Sequence, residues 1–267
     1  MSDTGETLRS LYANEGGVAS LFSSKVNDYL ASRPDYPQAL FNTFEAEGLL
    51  QNLATIADIG SGTGLLTASL LERGHKVFAV EPNAEMRLAA DTLLKKHGQL
   101  YQSIDGTAEN LPLPDASVNL ITAAQAFHWF EIKAARQEFM RILKPQGQVA
   151  LIWNDRVLNH PLHLALNELL KKFGGAKLQA LSAHEDRSQV PVFFANSPTK
   201  TWTFPHQQWL NEEGLQSLVF SRSYMPERHS DAGEEIKKTI KDITLKFAID
   251  GKVAVPYQTT AIVGALA

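Results

Sequence analysis

A doubly wound α/β fold, with a mostly parallel sheet of seven strands, is the fold class this sequence predicts. Three observations predict it. Between residues 54 and 155, apolar runs of strand length alternate with amphipathic stretches of helix length, and such alternation belongs to parallel strands joined by right-handed crossovers. A glycine-rich turn, Gly60-Ser61-Gly62-Thr63-Gly64, sits where the first run gives way to the first helical stretch, which is where open α/β sheets bind ligands. A chain of 267 residues with 44% hydrophobic content is also long and apolar enough to bury one large core.

The first 50 residues read as helices packed outside the sheet, a helical cap. Strands follow at Ala54–Ile59, Val77–Val80, Leu100–Ile104, Val118–Ala124 and Val149–Trp153. The helix between the second and third strands is expected from Asn83 to Gly98: Asn83 can cap it, Met86, Leu88, Leu93 and Leu94 supply an apolar stripe, Lys95 and Lys96 suit its negative end, and Gly98 can stop it. The third crossover, Gly106 to Ser117, contains Pro112 and Pro114 and is expected to be a loop, because proline removes a helix donor and clashes with the preceding turn. Beyond Asp155 the pattern changes, with helices expected near Pro161–Phe173, Gln207–Val219 and Gly233–Ala248, a strand at Thr201–Phe204 and a last strand at Thr259–Ala265. Without repeats, low-complexity tracts or long linkers, residues 1–267 read as a single domain: cap 1–50, ligand-binding core 51–155, insertion 156–199 after the fifth strand, and C-terminal strands and helices 200–267.

Composition narrows the function. The net charge is −4, the isoelectric point about 6.1, and Lys and Arg are dispersed, so no basic footprint for nucleic acid is expected. There is no cysteine, which removes thiolate nucleophiles and Cys-ligated metals. No apolar run is long enough to span a bilayer and the polar N-terminus has no signal-like core. A cytoplasmic protein acting on a small molecule is the expectation, with no metal and with the oligomeric state open.

The glycine loop decides which ligand. A dinucleotide loop has G-x-G-x-x-G spacing and rests a pyrophosphate on the helix N-terminus; here the spacing is G-x-G-x-G, and Asp58 precedes Gly60 by two residues. A carboxylate at the mouth of the loop favours a cationic ligand. S-adenosylmethionine, with its ammonium and sulfonium, is such a ligand. Glu81 ends the second strand in Val-Phe-Ala-Val-Glu-Pro, where a carboxylate can accept both hydroxyls of a ribose.

The run Asp58-Ile59-Gly60-Ser61-Gly62-Thr63-Gly64, then Val80-Glu81-Pro82, then Gly106-Thr107-Ala108-Glu109-Asn110-Leu111-Pro112 resembles class I, Rossmann-like methyltransferases of the type 11 group. Ala124-Gln125-Ala126-Phe127-His128-Trp129-Phe130, with Tyr29, Arg33-Pro34 and Tyr36-Pro37, resembles the branch containing trans-aconitate methyltransferase-like enzymes. The resemblance implies S-adenosylmethionine as cofactor. It implies Asp58, Gly60 and Gly62 along the methionine half, Glu81 on the ribose, Pro82 and Met86 beside the adenine, and Ala108 offering its N–H to the adenine ring. Thr107, Glu109 and Gln125 are implied at the same site, and Tyr29 and Arg33 on a segment folded over it. Thr107 departs from the family's frequent Asp, as does Asn119 at the start of the fourth strand.

The acceptor side is read more coarsely. Trp129, Trp153, Arg156, Arg222 and Tyr224 are its expected lining, and His128, at the C-terminal edge of the sheet, is the candidate general base. His160 and His163 lack the companions a metal site needs. Methylation of a small carboxylic acid on oxygen is the expected reaction. Its alternatives are a non-catalytic S-adenosylmethionine binder and an NAD(P)-dependent oxidoreductase.

Overall fold

A computed structural model describes residue 28 and residues 32–51, 53–184 and 187–266. Its seven strands, β1 (Thr55–Ile59), β2 (Lys76–Val80), β3 (Tyr101–Ile104), β4 (Val118–Ala124), β5 (Leu143–Arg156), β6 (Thr199–Leu210) and β7 (Val253–Gly264), form one sheet in the order β3-β2-β1-β4-β5-β7-β6. The β3–β2, β2–β1, β1–β4 and β4–β5 ladders are parallel. The chain therefore winds outward from β1 to β3, then restarts on the other side with β4, and this reversal leaves a crevice at the carboxyl ends of β1 and β4.

The chain divides into two compact units. The larger holds Asp35–Asn154, Asp186–Phe204 and the C-terminal stretch from Thr259. Its strands bury both faces, as alternation requires. Ile56, Val77, Leu120, Ala150 and Ile152 pack with helices α1 (Gln38–Ala46) and α2 (Leu65–Glu72) through Leu40, Phe41, Phe44, Leu66 and Leu70. Ala57, Val80, Ile121, Val149 and Leu151 pack on the opposite side with Phe139 and Phe193.

Helix α3 (Ala84–Leu94) is capped as expected, Asn83 Oδ1 accepting from the Met86 N–H at 2.9 Å. Its buried stripe is different: Met86, Ala90 and Leu94 face inward at helical spacing, while Leu88 and Leu93 are exposed. The helix stops at Leu94 and passes into a 3-10 segment, Lys95–Leu100, broken by Gly98 at φ 58°. The third crossover is a loop. Its carbonyls are held by Arg141, which donates to Leu111 O at 2.8 Å and Leu113 O at 2.7 Å from α4 (Ile132–Ile142).

The smaller unit gathers the described residues up to Pro34, Asp155–Glu185 and Pro205–Gln258. Helices α5 (Pro161–His184, broken at Gly175), α7 (Glu212–Phe220) and α8 (Asp231–Phe247) share a core of Leu162, Leu166, Leu170, Leu215, Val219, Ile236, Ile240, Val255 and Tyr257. The short α6 (Val190–Phe193) belongs to the larger unit. The helix expected to start at Gln207 starts at Glu212: β6 continues through Leu210 with alternating exposure, and Asn211 caps α7 by accepting from Gly214 N at 2.9 Å. Strand β7 likewise begins six residues before the expected Thr259.

Candidate functional site

In the turn between β1 and α2, four backbone amides are already used. Gly60 N and Ser61 N donate to Val80 O at 2.8 and 3.1 Å, Gly62 N donates to Glu81 Oε2 at 3.0 Å, and Gly64 N donates to Ser61 O at 2.9 Å. These are the amides that a phosphate cradle would need. The loop is therefore poorly suited to a pyrophosphate, as its spacing indicates.

The three glycines differ in what requires them. A Cβ on Gly60 would lie 2.6 Å from Ala126 Cβ and one on Gly64 2.5 Å from Leu94 Cδ1, so the fold itself excludes side chains there. Gly62, at φ +57°, would meet only Met86 Sδ at 3.8 Å. Open space beside its Cα lets a ligand approach the backbone.

Asp58 is buried, and its carboxylate lies beneath the loop rather than at its mouth: Thr67 Oγ1 donates to Oδ2 at 2.6 Å and Thr122 Oγ1 to Oδ1 at 2.8 Å. Burial raises its pKa to about 6 against the lowering pull of the two hydroxyls. Glu81 is 8% exposed at the end of β2, with Oε2 accepting from Gly62 N and Oε1 from Asn83 N at 2.9 Å. Burial raises its pKa too, opposed by those two amides and by Arg87. A carboxylate has about four lone-pair positions. The two amides leave room for a pair of hydroxyls, so Glu81 fits a vicinal diol.

Around this centre, Met86 is buried, Pro82 exposed and Ala108 buried in a turn closed by the Thr107–Asn110 bridge, with Thr107 exposed. Glu109 is engaged by protein, accepting from Glu131 N at 2.7 Å. Gln125 directly follows β4 at φ 57°, an unusual conformation for a side-chain-bearing residue and one that clusters at functional sites. It donates to Asn154 O at 3.3 Å. His128 and Trp129 are half-buried, with their ring centroids 4.8 Å apart and their planes tilted by 46°, and the Arg187 guanidinium lies 4.3 Å from the centre of the Trp153 ring.

Tyr29 lies outside the described residues. Arg33, Arg156, Arg222 and Tyr224 all belong to the smaller unit. There, Arg156 donates to Asn167 at 2.7 Å and Arg222 to the Tyr224 hydroxyl at 3.3 Å. Sequence reasoning missed Thr67 and Thr122, whose hydroxyls donate to Asp58; a threonine nine residues after Asp58, in the first turn of α2, was the available signal for the first. No group of three metal-binding side chains occurs among the described residues, nor is any helix among them long and apolar enough to cross a membrane.

A methyltransferase domain family matches residues 57–151. An uncharacterised methyltransferase of Mycobacterium tuberculosis is 31% identical over 252 residues, covering 92% of this chain and 96% of the relative. One from Schizosaccharomyces pombe is 35% identical over 165 residues, covering 60% of this chain and 63% of the relative. In fold, the chain resembles a protein described as a type II methyltransferase from Anaeromyxobacter dehalogenans, with TM-score 0.57 and 21% identity, covering 86% and 95% of the two chains. The likeness to the mycobacterial protein runs through almost the whole of both chains, and with it this chain belongs to the S-adenosylmethionine-dependent class I methyltransferases.

Proposed function

We propose that the protein methylates an oxygen of a small carboxylic acid, and that it belongs to the branch containing trans-aconitate methyltransferase-like enzymes. The observation that carries the cofactor half is the pair Gly62 and Glu81: open space at one, and a buried carboxylate with unused lone pairs at the other. In this reading Glu81 holds the ribose hydroxyls, Gly60 and Gly62 border the methionine half, Met86 and Pro82 flank the adenine, and Ala108 N–H meets its edge. Thr107, Glu109 and Gln125 shape the surrounding wall. Asp58 acts from below, as a negative charge that favours the ligand's cationic groups.

When bound, the cofactor supplies a methyl group already activated on a sulfonium, which a carboxylate oxygen can take without losing a proton. The protein's task is then orientation and exclusion of water. Trp129 and Trp153 serve as walls, and His128 as wall or hydrogen-bond donor instead of base. The test is turnover to S-adenosylhomocysteine with a panel of small acids, phenols and amines. Turnover confined to phenols or amines overturns the acid reading, and a folded protein that binds S-adenosylmethionine without turning over any acceptor is the non-catalytic binder.

A further inference from the structure

Arg87 joins the ends of two strands in the larger unit. It lies on α3, one turn after the cap residue Asn83, and its guanidinium donates through Nη1 to Glu81 O at 2.7 Å and through Nη2 to Asp105 Oδ2 at 3.0 Å. Glu81 directly follows β2, and Asp105 directly follows β3. The chain past Asp105 is pressed against the end of β2: a Cβ on Gly106 would stand 2.9 Å from Pro112 Cδ and 3.1 Å from Val80 Cγ1. From there it turns at once into the Thr107–Asn110 bridge that encloses Ala108.

Glu81 is engaged from several directions. Its N–H donates to Ile104 O at 3.1 Å, Oε2 and Oε1 accept from the amides of Gly62 and Asn83, and its carbonyl accepts from Arg87. Of these partners only Arg87 is a side chain, and only Arg87 is charged. An ion pair with Asp105 would by itself be worth little, because the Asp105 side chain is 73% exposed. The Arg87 side chain is 18% exposed, and the contact made where it is withdrawn from water is the charge-assisted bond to the Glu81 carbonyl. A guanidinium carries its N–H groups on a rigid planar fork and can hold two acceptors at a set separation; an ammonium is a point charge and cannot.

We propose that Arg87 is a positioning residue for S-adenosylmethionine: by spanning the ends of β2 and β3 it sets the Glu81 carboxylate and the turn at Ala108 against the two parts of the adenosine. This rests on the reading that Glu81 holds the ribose hydroxyls. Arg87 acts on the same carboxylate through its charge. Burial raises the pKa of Glu81, the Asn83 and Gly62 amides and the Arg87 charge hold it down, and Asp58 adds to the rise. Protonation turns an acceptor position of the carboxylate into a donor. Cofactor affinity therefore falls as pH drops through the Glu81 pKa, and loss of Arg87 moves that fall to higher pH. Asp58 titrates at about 6, but Arg87 is not among the groups that shift it. The change in the pH profile on removing Arg87 thus reports Glu81.

The test is calorimetric titration of the full chain with S-adenosylmethionine from about pH 5 to about pH 7, below the α-amino range. Arg87→Gln should weaken binding about tenfold at the upper end and begin its acid-side loss at higher pH than the native chain. Arg87→Lys keeps the charge and should keep the native acid side, while recovering only part of the affinity. In a Glu81→Ala background, Arg87→Gln should leave the pH profile where it is. A folded Arg87→Gln with native affinity and profile overturns the proposal and leaves the ribose reading of Glu81 standing. Equal losses in the Gln and Lys variants, with no movement of the acid side, reduce Arg87 to a packing residue and overturn it too. If Arg87→Gln does not fold, Arg87→Lys decides alone, and native affinity at every pH then overturns the proposal. Native affinity in a folded Glu81→Ala removes the ribose reading, and this proposal falls with it.

Discussion

The two polar regions of this protein have opposite charge logic. In the larger unit, two buried carboxylates, Asp58 and Glu81, are surrounded by hydroxyl and backbone donors, and burial raises both of their pKa values. In the smaller unit, burial and the charges of Arg156 and Arg222 lower the pKa of His163 to about 4, and its ring lies 5.9 Å from that of the buried phenol Tyr257. The difference teaches how each region was assembled. Apart from Thr122 on β4, the carboxylate region is anchored within one strand-turn-helix-strand passage, whereas His163 and Tyr257 come from α5 and β7, far apart in the chain.

The largest expected effect separates the regions by pH. Asp58, with a folded pKa raised from 3.8 to about 6, binds its proton more tightly in the native state, so its contribution to stability falls as pH rises between about 4 and 6, by on the order of 3 kcal/mol. His163 runs the other way: the unfolded state holds the proton between about 4 and 6.5, so its contribution rises with pH across that window. Denaturant melts from pH 4 to 7 should therefore show Asp58→Asn gaining stability relative to native as pH rises, and His163→Gln losing it. The same slope in all three proteins would erase the contrast.

Next in size is Glu81→Ala, which should weaken S-adenosylmethionine binding by about 1.5–3 kcal/mol while the fold survives. Calorimetry checks it. Unchanged affinity in the folded variant would remove Glu81 from the cofactor site.

Gly62→Ala and Gly60→Ala sharpen the comparison inside the loop. Each bears the cost of a positive φ, about 1 kcal/mol, but only Gly60 adds a clash with Ala126. Gly62→Ala should be the more stable variant and yet the one whose cofactor affinity falls; thermal melts with and without S-adenosylmethionine read both quantities. The smallest effect is expected at His128. If no base is needed, kcat for an acid acceptor should stay flat through pH 6–7 and fall less than about tenfold in His128→Gln, whereas a histidine-dependent climb would reinstate it as general base.

Those assembly differences explain what could be read from the sequence. The strands β1 to β5, the proline loop and the Asn83 cap follow from local periodicity and local chemistry, and so do Gly62 and Glu81. The buried stripe of α3 was misread because Leu88 and Leu93 outrank Ala90 in hydrophobicity, although the helix turns Ala90 toward Gly64, whose missing side chain lets the two elements meet. The start of α7 was misread because Gln207–Leu210 has neither proline nor glycine to stop a helix; Asn211, two residues before the acidic first turn ends, was the better marker. Asp58 was legible as an acid near the loop, but one of its two hydroxyl donors, Thr122, comes from β4, 64 residues away in sequence. Nothing local ties Tyr257 to His163.

The bond from Gly62 N to Glu81 also bears on time. With that amide, and those of Gly60, Ser61 and Gly64, tied before any ligand arrives, the loop's ordering entropy is spent during folding and not at each encounter. Cofactor association should then proceed in one step, with an observed rate that climbs linearly with ligand concentration and reaches no plateau. Cutting the tie by Glu81→Gln, whose amide can turn away from Gly62, should introduce a slower phase that saturates, the mark of a loop that must order before it can hold anything.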